Sequence, residues 1–159
     1  MDTRILDERN FLACLSGRIA CVPKVISKYQ DGRVAMLVYE DVFCCDLGTA
    51  IASGTIEDGI KPYFAACILS ALTNLHKFGL MHRYVTPEAV YITDTGRPKL
   101  SDLRYCKSMD GDKSYTICGD PCYFAPEIIR LVQNIAVTHP VNPHYHHILS
   151  CSPPRSSGW

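Results

Sequence analysis

The residues able to do chemistry in this chain gather in three short strings: HRYVTPEAV at 82–90, SDLR at 101–104 and CGDPCYFAPE at 118–127. Their order carries more information than any one of them. Asp102 in the second string has two readings, a turn cap or a ligand for a divalent cation, and the second needs phosphate oxygens as co-ligands. Cys118 and Cys122 form a CxxxC spacing, which is weak evidence of redox activity. The string HPVNPHYHHILSC at 139–151 holds four histidines and Cys151 without the ligand spacing of a zinc site. The nine cysteines include no CxxC pair. An odd number without a signal peptide reads as reduced, mostly packed thiols rather than a secreted disulfide framework.

The elements that must position these strings are legible from periodicity. RILDERNFLACLS at 4–16 places Ile5, Leu12 and Leu15 at helical spacing, and Gly17 offers a stop. VPKVISKY and VAMLVY flank Asp31-Gly32 and predict a hairpin. Residues 46–52 read as a short helix. Phe64, Cys67, Ile68, Ala71, Leu72 and Leu75 predict a longer helix over about 57–78. Pro62 argues for a start at Ile60 or Lys61, and Gly79 for a C-cap. Residues 90–92 and 98–101 predict a second hairpin around Thr93-Asp94-Thr95-Gly96. A loop over 102–124 leads to a helix at APEIIRLVQ, and the aperiodic tail reads as disordered.

Composition narrows the function classes. The chain has 159 residues, 47% apolar and 20% charged, enough for one ordinary globular domain. Sixteen basic residues balance sixteen acidic ones, so there is no electrostatic footprint of a nucleic-acid or acidic-membrane binder. No apolar run approaches the ~20 residues of a membrane helix. The expectation is a soluble, cytoplasmic protein whose partners are proteins or neighbouring domains.

Helix, loop, hairpin, acidic residue, loop and APE is the order of the protein-kinase motifs HRDLxxxN, DFG and APE. Over residues 4 to about 130 the chain resembles the eukaryotic protein kinase domain. YTICGDPCYFAPEII is most similar to the cyclic-nucleotide-dependent branch of the AGC serine/threonine kinases. HRYVTPEAVYITDTGRPKLSDLRYCKSMDGDKSYTICG resembles the kinase-like region of plant and algal proteins that also carry a type 2C protein phosphatase and cyclic-nucleotide-binding domains.

The resemblance implies roles for particular residues. Glu8 matches the helix glutamate that pairs with the ATP-binding lysine. Tyr39 takes the gatekeeper position, and Glu40 to Val42 the hinge that faces adenine. Asp46 sits where ribose or a substrate arginine is contacted. His82 and Arg83 match the first two catalytic-loop positions, Asp102 the metal-binding aspartate, and Glu127 the structural glutamate of APE. Thr116 matches the activation-loop threonine, whose phosphate would dock on Arg83 with Arg104 and Lys107 nearby.

The departures fall on the catalytic groups. Tyr84 replaces the aspartate that accepts the substrate proton, and a phenol of pKa near 10 is a poor acceptor at neutral pH. Thr86 replaces the lysine that steadies the γ-phosphate. Ala89 replaces the asparagine that holds the second metal ion. Arg104 replaces the DFG glycine and loses its backbone freedom. Asp120 replaces the threonine that steadies the catalytic loop. No GxGxxG loop or VAIK lysine precedes Glu8, so Glu8 is expected to be a solvated helix residue. The chain reads as cut at both ends.

The expected fold is α+β: a protein-kinase-like fragment with a remnant small lobe at 4–45, a partial large lobe at 46–134 and a disordered tail at 135–159. The expected function is a non-catalytic pseudokinase that regulates by binding, with ATP and Mg²⁺ binding weak or absent. The alternatives are a serine/threonine kinase active in a longer isoform and a truncated product without stable function.

Overall fold

A computed structural model describes residues 3–15, 17–31, 34–109 and 117–138. The chain divides into two compact units, residues 1–113 and 114–159. In the first, helix α1 (Thr3–Leu15) precedes an antiparallel hairpin of β1 (Val25–Asp31) and β2 (Val34–Tyr39). The pairing places Tyr29 opposite Met36 and Asp31 opposite Val34, with a register shift between Val25 and Ser27. The turn expected at Asp31-Gly32 continues into residues 32–33, outside the described ones.

Strand β3 (Phe43–Asp46) runs directly into α2 (Leu47–Ala52). Asp46 caps that helix, accepting from Thr49 N at 2.8 Å and from Thr49 Oγ1 at 2.7 Å. The expected division at 45/46 falls within β3. Helix α3 (Lys61–Lys77) starts at the later of the two expected positions, with Pro62 in its first turn and residues 58–60 in a separate 3-10 turn. The proline explains the start, because its missing N–H costs nothing there. Gly79 follows at φ 69°, and its N–H donates to the His76 carbonyl at 2.9 Å. This is the left-handed helix stop that favours glycine.

The rest of the unit is short. Strand β4 (Leu80–Met81) pairs with β7 (Lys107–Ser108), and β5 (Val90–Thr93) pairs with both β3 and β6 (Pro98–Leu100). Between β6 and β7 the chain makes a 3-10 turn, Leu103–Tyr105. One apolar cluster joins these pieces: Leu12 and Leu15 from α1, Leu75 from α3, Leu100 from β6 and Leu103 from the turn are all 2% exposed or less. The second unit contains a 3-10 turn, Pro121–Tyr123, and helix α4 (Pro126–Thr138). Thr116 and the tail from 139 onward lie outside the described residues. Among the described residues, no helix is long and apolar enough to cross a membrane.

Leu75 sits where α1, α3, β6 and the 3-10 turn share one core. Leu75→Ala is expected to lower unfolding stability by about 2–5 kcal/mol, read as a fall in the urea midpoint. Leu69→Ala on the solvent side of the same helix, 66% exposed, should change stability by no more than about 0.5 kcal/mol.

Candidate functional site

The fold brings the helix glutamate, the hinge strand, the first hairpin and the Asp102 turn around one cavity of about 500 Å³. Its aromatic wall is Tyr39, Phe43 and Tyr91. Phe43 meets Tyr39 edge-on at 5.7 Å between ring centroids and lies tilted against Tyr91 at 5.5 Å. Burial, with the Glu8 carboxylate nearby, pushes the Tyr39 hydroxyl up to about 12. Its charged floor is Glu8, Arg9, Asp102 and Arg104.

The geometry of that floor is specific. Asp102 adopts a left-handed backbone, φ 57° and ψ 59°, a conformation that costs a non-glycine residue energy and that Asp tolerates better than most. From there its carboxylate is gripped bidentately by Arg104, Nε to Oδ1 at 2.6 Å and an Nη2 to Oδ2 at 2.7 Å. Asp102 is 13% exposed and Arg104 49%. Arg104, read from the sequence as near the Thr116 phosphate, is bonded to Asp102; Thr116 lies outside the described residues. Glu8 also departs from expectation, because it is half-buried and not solvated. Its carboxylate accepts from Leu103 N at 3.2 Å. Burial and the Asp102 charge raise the Glu8 pKa, while Arg104 and the Leu103 N–H pull it back.

The catalytic-loop residues are fastened to the same turn. His82 is 2% exposed. Its Nε2 lies 2.8 Å from the Ser101 carbonyl, which only accepts, so Nε2 carries the proton. Nδ1 then accepts from Tyr84 N at 3.2 Å. Both ring nitrogens are satisfied in the neutral form, and burial lowers the His82 pKa. Arg83, at φ 63°, donates Nε to the Tyr105 carbonyl at 2.7 Å. The Tyr84 ring stacks on Tyr105 at 4.9 Å and 24°. Tyr84, expected from the resemblance at the base position, is thus held in an aromatic stack. Ala89 is fully buried, with its carbonyl accepting from Ser101 N at 2.8 Å. Thr86 is buried, and its hydroxyl has no hydrogen-bond partner among the described residues.

Other expected site residues are placed elsewhere. Glu40 pairs with Lys24 at 2.9 Å, and Val42 is 63% exposed. Neither lines the cavity, and nor does Asp46, whose two carboxylate oxygens are occupied by Thr49. Glu127 is exposed in the first turn of α4. Asp120 caps its own turn through Cys122 N at 2.9 Å. Two features were not foreseen. One is the Asp102–Arg104 pair, signalled only by opposite charges two residues apart. The other is Glu88, whose carboxylate comes so near Gly48 that a Cβ there would meet it at 2.9 Å. Among the described residues, no group of three or more His, Cys, Asp or Glu is placed to hold a metal ion.

Residues 1–142 match the family model described as protein kinase domain. The chain is similar to cGMP-dependent protein kinase egl-4 of Caenorhabditis elegans, 30% identical over 135 residues, which is 81% of this chain and 17% of that protein. It is similar to human cGMP-dependent protein kinase 2, 30% identical over 115 residues, 69% of this chain and 15% of that protein. Isozyme 1 of the Drosophila melanogaster cGMP-dependent kinase is 28% identical over 130 residues, 80% of this chain and 17% of that protein. The chain therefore spans less than a fifth of the length of these curated relatives.

The His82 arrangement predicts a pH dependence. A base whose folded pKa is depressed contributes stability that is complete above its ordinary value, 6.5, and is lost as pH falls below it. Protonating Nδ1 would also replace that acceptor by a second donor facing the Tyr84 N–H. Urea midpoints should fall between pH 6.5 and 5, and this part of the fall should disappear in His82→Gln, which cannot titrate.

Proposed function

The chain belongs to the protein kinase domain family, and from that premise we propose that it is a non-catalytic member, a pseudokinase that regulates by binding other proteins. The observation that carries this reading is the bidentate hold of Arg104 on both oxygens of Asp102. Kinase chemistry is positioning and electrostatics around metal-bound phosphates. The family uses ATP and Mg²⁺, and the residues present here do not fit the metal. Asp102 already has its counter-ion, Ala89 offers a buried methyl group, and no further cluster of ligands stands by among the described residues. No phosphoryl-transfer step is therefore derived.

The remaining departures support the same reading. Tyr84 is stacked on Tyr105 and is a phenol. Loss of a positioned base typically costs ~10²–10⁴ in rate. Nucleotide binding is correspondingly weak or absent in this reading. The partners we propose are neighbouring domains of a longer protein, or a kinase or phosphatase. The exposed apolar residues Ile26, Met36 and Val38 on the first hairpin suit such contacts. A cytoplasmic site is in keeping with the described cysteines' not being joined in disulfides. The narrower likeness to plant and algal phosphatase–kinase proteins rests on the residues of 82–119 alone. A serine/threonine kinase active in a longer isoform would require Arg104 to release Asp102 and a base other than Tyr84.

Two measurements test the proposal. With Mg²⁺, labelled ATP and a basic peptide, the full chain should transfer no phosphate; turnover that vanishes in Asp102→Ala would establish an active site. A ligand that binds only the native state raises stability as RT ln(1 + [L]/Kd). Millimolar ATP with Mg²⁺ should therefore leave the melting temperature unchanged, and a saturable rise would overturn the weak-binding part.

A further inference from the structure

The cavity of about 500 Å³ holds polar groups that the protein itself leaves without partners. Ser101 lines it and is 7% exposed. Its N–H donates to the Ala89 carbonyl and its carbonyl accepts from His82, but its hydroxyl has no hydrogen-bond partner among the described residues. The hydroxyls of Tyr39 and Tyr91, on the aromatic wall, have none there either. Three of the four charged side chains lining the cavity are engaged. Arg104 holds both oxygens of Asp102. Arg9 donates to Gln30 at 2.9 Å and to Asn10 at 3.2 and 3.3 Å. Glu8 differs. Leu103 N occupies its Oε1, and Oε2 has no partner among the described residues. A polar group taken from water and left unmatched costs the fold its desolvation unless something in the cavity replaces the lost hydrogen bonds.

We propose that this cavity binds a small organic cation, a protonated amine carried on an aromatic or compact apolar body. The ammonium group donates to Glu8 Oε2, and the body lies against Tyr39, Phe43 and Tyr91. The free hydroxyls of Ser101 and Tyr39 remain for the other polar atoms of the ligand.

Size, sign and surface set this class of ligand. The volume lies within the ~300–1,000 Å³ of small-molecule pockets. Burial and the Asp102 charge oppose a charged Glu8, and Arg104 offsets them only in part. A cation at Oε2 favours the carboxylate, whereas an anion would be repelled by it. Aromatic rings attract a cation through their electron-rich faces, more strongly where water is excluded. Phe43 is inclined to Tyr39 by 73° and to Tyr91 by 53°, so the three rings form an angled wall rather than a flat stack. The Tyr39 hydroxyl stays protonated at neutral pH, so it can donate as well as accept. The site is also distinct from the one the family resemblance implies for a nucleotide. Glu40, Val42 and Asp46, expected to face adenine and ribose, do not line it. Binding of such a cation is independent of phosphoryl transfer.

The probes are 2-phenylethylammonium, neutral 2-phenylethanol and anionic 3-phenylpropanoate, which share a body and differ in the charge of the head. Each is titrated into the full chain at neutral pH and read by calorimetry and saturation-transfer NMR. The ammonium is expected to saturate with a Kd of roughly 0.1–1 mM, as suits so few atoms. The alcohol and the carboxylate should bind at least about tenfold more weakly, because they lack the charge-assisted hydrogen bond. Glu8→Gln keeps an acceptor for Leu103 N and removes the charge, so the ammonium should fall to the affinity of the alcohol. Tyr91→Ala, at a position 38% exposed, should weaken the ammonium roughly two- to fivefold. Equal affinity for the alcohol or the carboxylate would overturn the proposal. So would an ammonium affinity unchanged in Glu8→Gln, or no saturation by the ammonium below about 10 mM. If Glu8→Gln does not fold, the three-probe series in the unaltered chain decides the matter.

Discussion

Two carboxylates, Glu8 and Asp102, come near one another where α1 packs on the 3-10 turn at Leu103–Tyr105, and one guanidinium makes the arrangement tolerable. Unpaired, two partly buried like charges raise each other's pKa and oppose packing. Arg104 grips Asp102 through two short hydrogen bonds and lowers the cost of a charged Glu8 by its field. Glu8 in turn accepts from Leu103 N, which ties the helix to the turn whose Leu103 is fully buried in the core. A bidentate carboxylate pair of this geometry is stronger than an ordinary surface bridge, although half-exposure of Arg104 keeps its net worth modest. This group of three joins α1 to the turn and shapes the floor of the cavity, on top of the apolar packing of Leu12 and Leu15.

The same arrangement separates the scaffold of a kinase domain from its chemistry. The scaffold is retained through buried polar groups whose hydrogen bonds are complete. His82 bridges Ser101 and the Tyr84 backbone as a neutral ring, and Ala89 and Ser101 are joined by a short backbone bond. Breaking such bonds leaves a buried donor or acceptor without a partner, at about 1–3 kcal/mol each. The groups that would act on a phosphate stand under no such constraint. Tyr84 and Ala89 occupy their positions without an unsatisfied polar atom of their own being buried, so the fold tolerates them. Thr86 is the exception, with a buried hydroxyl that no described residue satisfies.

Much of the architecture was legible in the chain. Apolar residues at three and four placed α3, and Pro62 and Gly79 set its ends, because proline and glycine act locally through their own backbone. Turn residues located both hairpins. The motif order pointed to the kinase domain, and the match over residues 1–142 bears this out. The site was less legible. Asp46 has the type and place of a ligand-facing acid, yet Thr49 three residues on supplies both an N–H and a hydroxyl, and the carboxylate turns to them. Nothing in the spacing distinguishes a capping aspartate from a binding one.

The sequence by itself determined the elements and pointed to the family, because these depend on residue identity and short-range backbone preference; the roles read for Tyr84 and Ala89 come from the family resemblance. Only the tertiary structure decided what the surviving polar groups do. Arg104 reads in sequence as a lost glycine, and it becomes the partner of Asp102 once the left-handed turn brings their side chains together. Glu8 reads as a solvated helix residue, and it becomes half-buried because Leu103, 95 positions away, presents its N–H there. Charge pairing is set by through-space distance, and for Glu8 that distance follows from how α1 and α3 bury a shared apolar core.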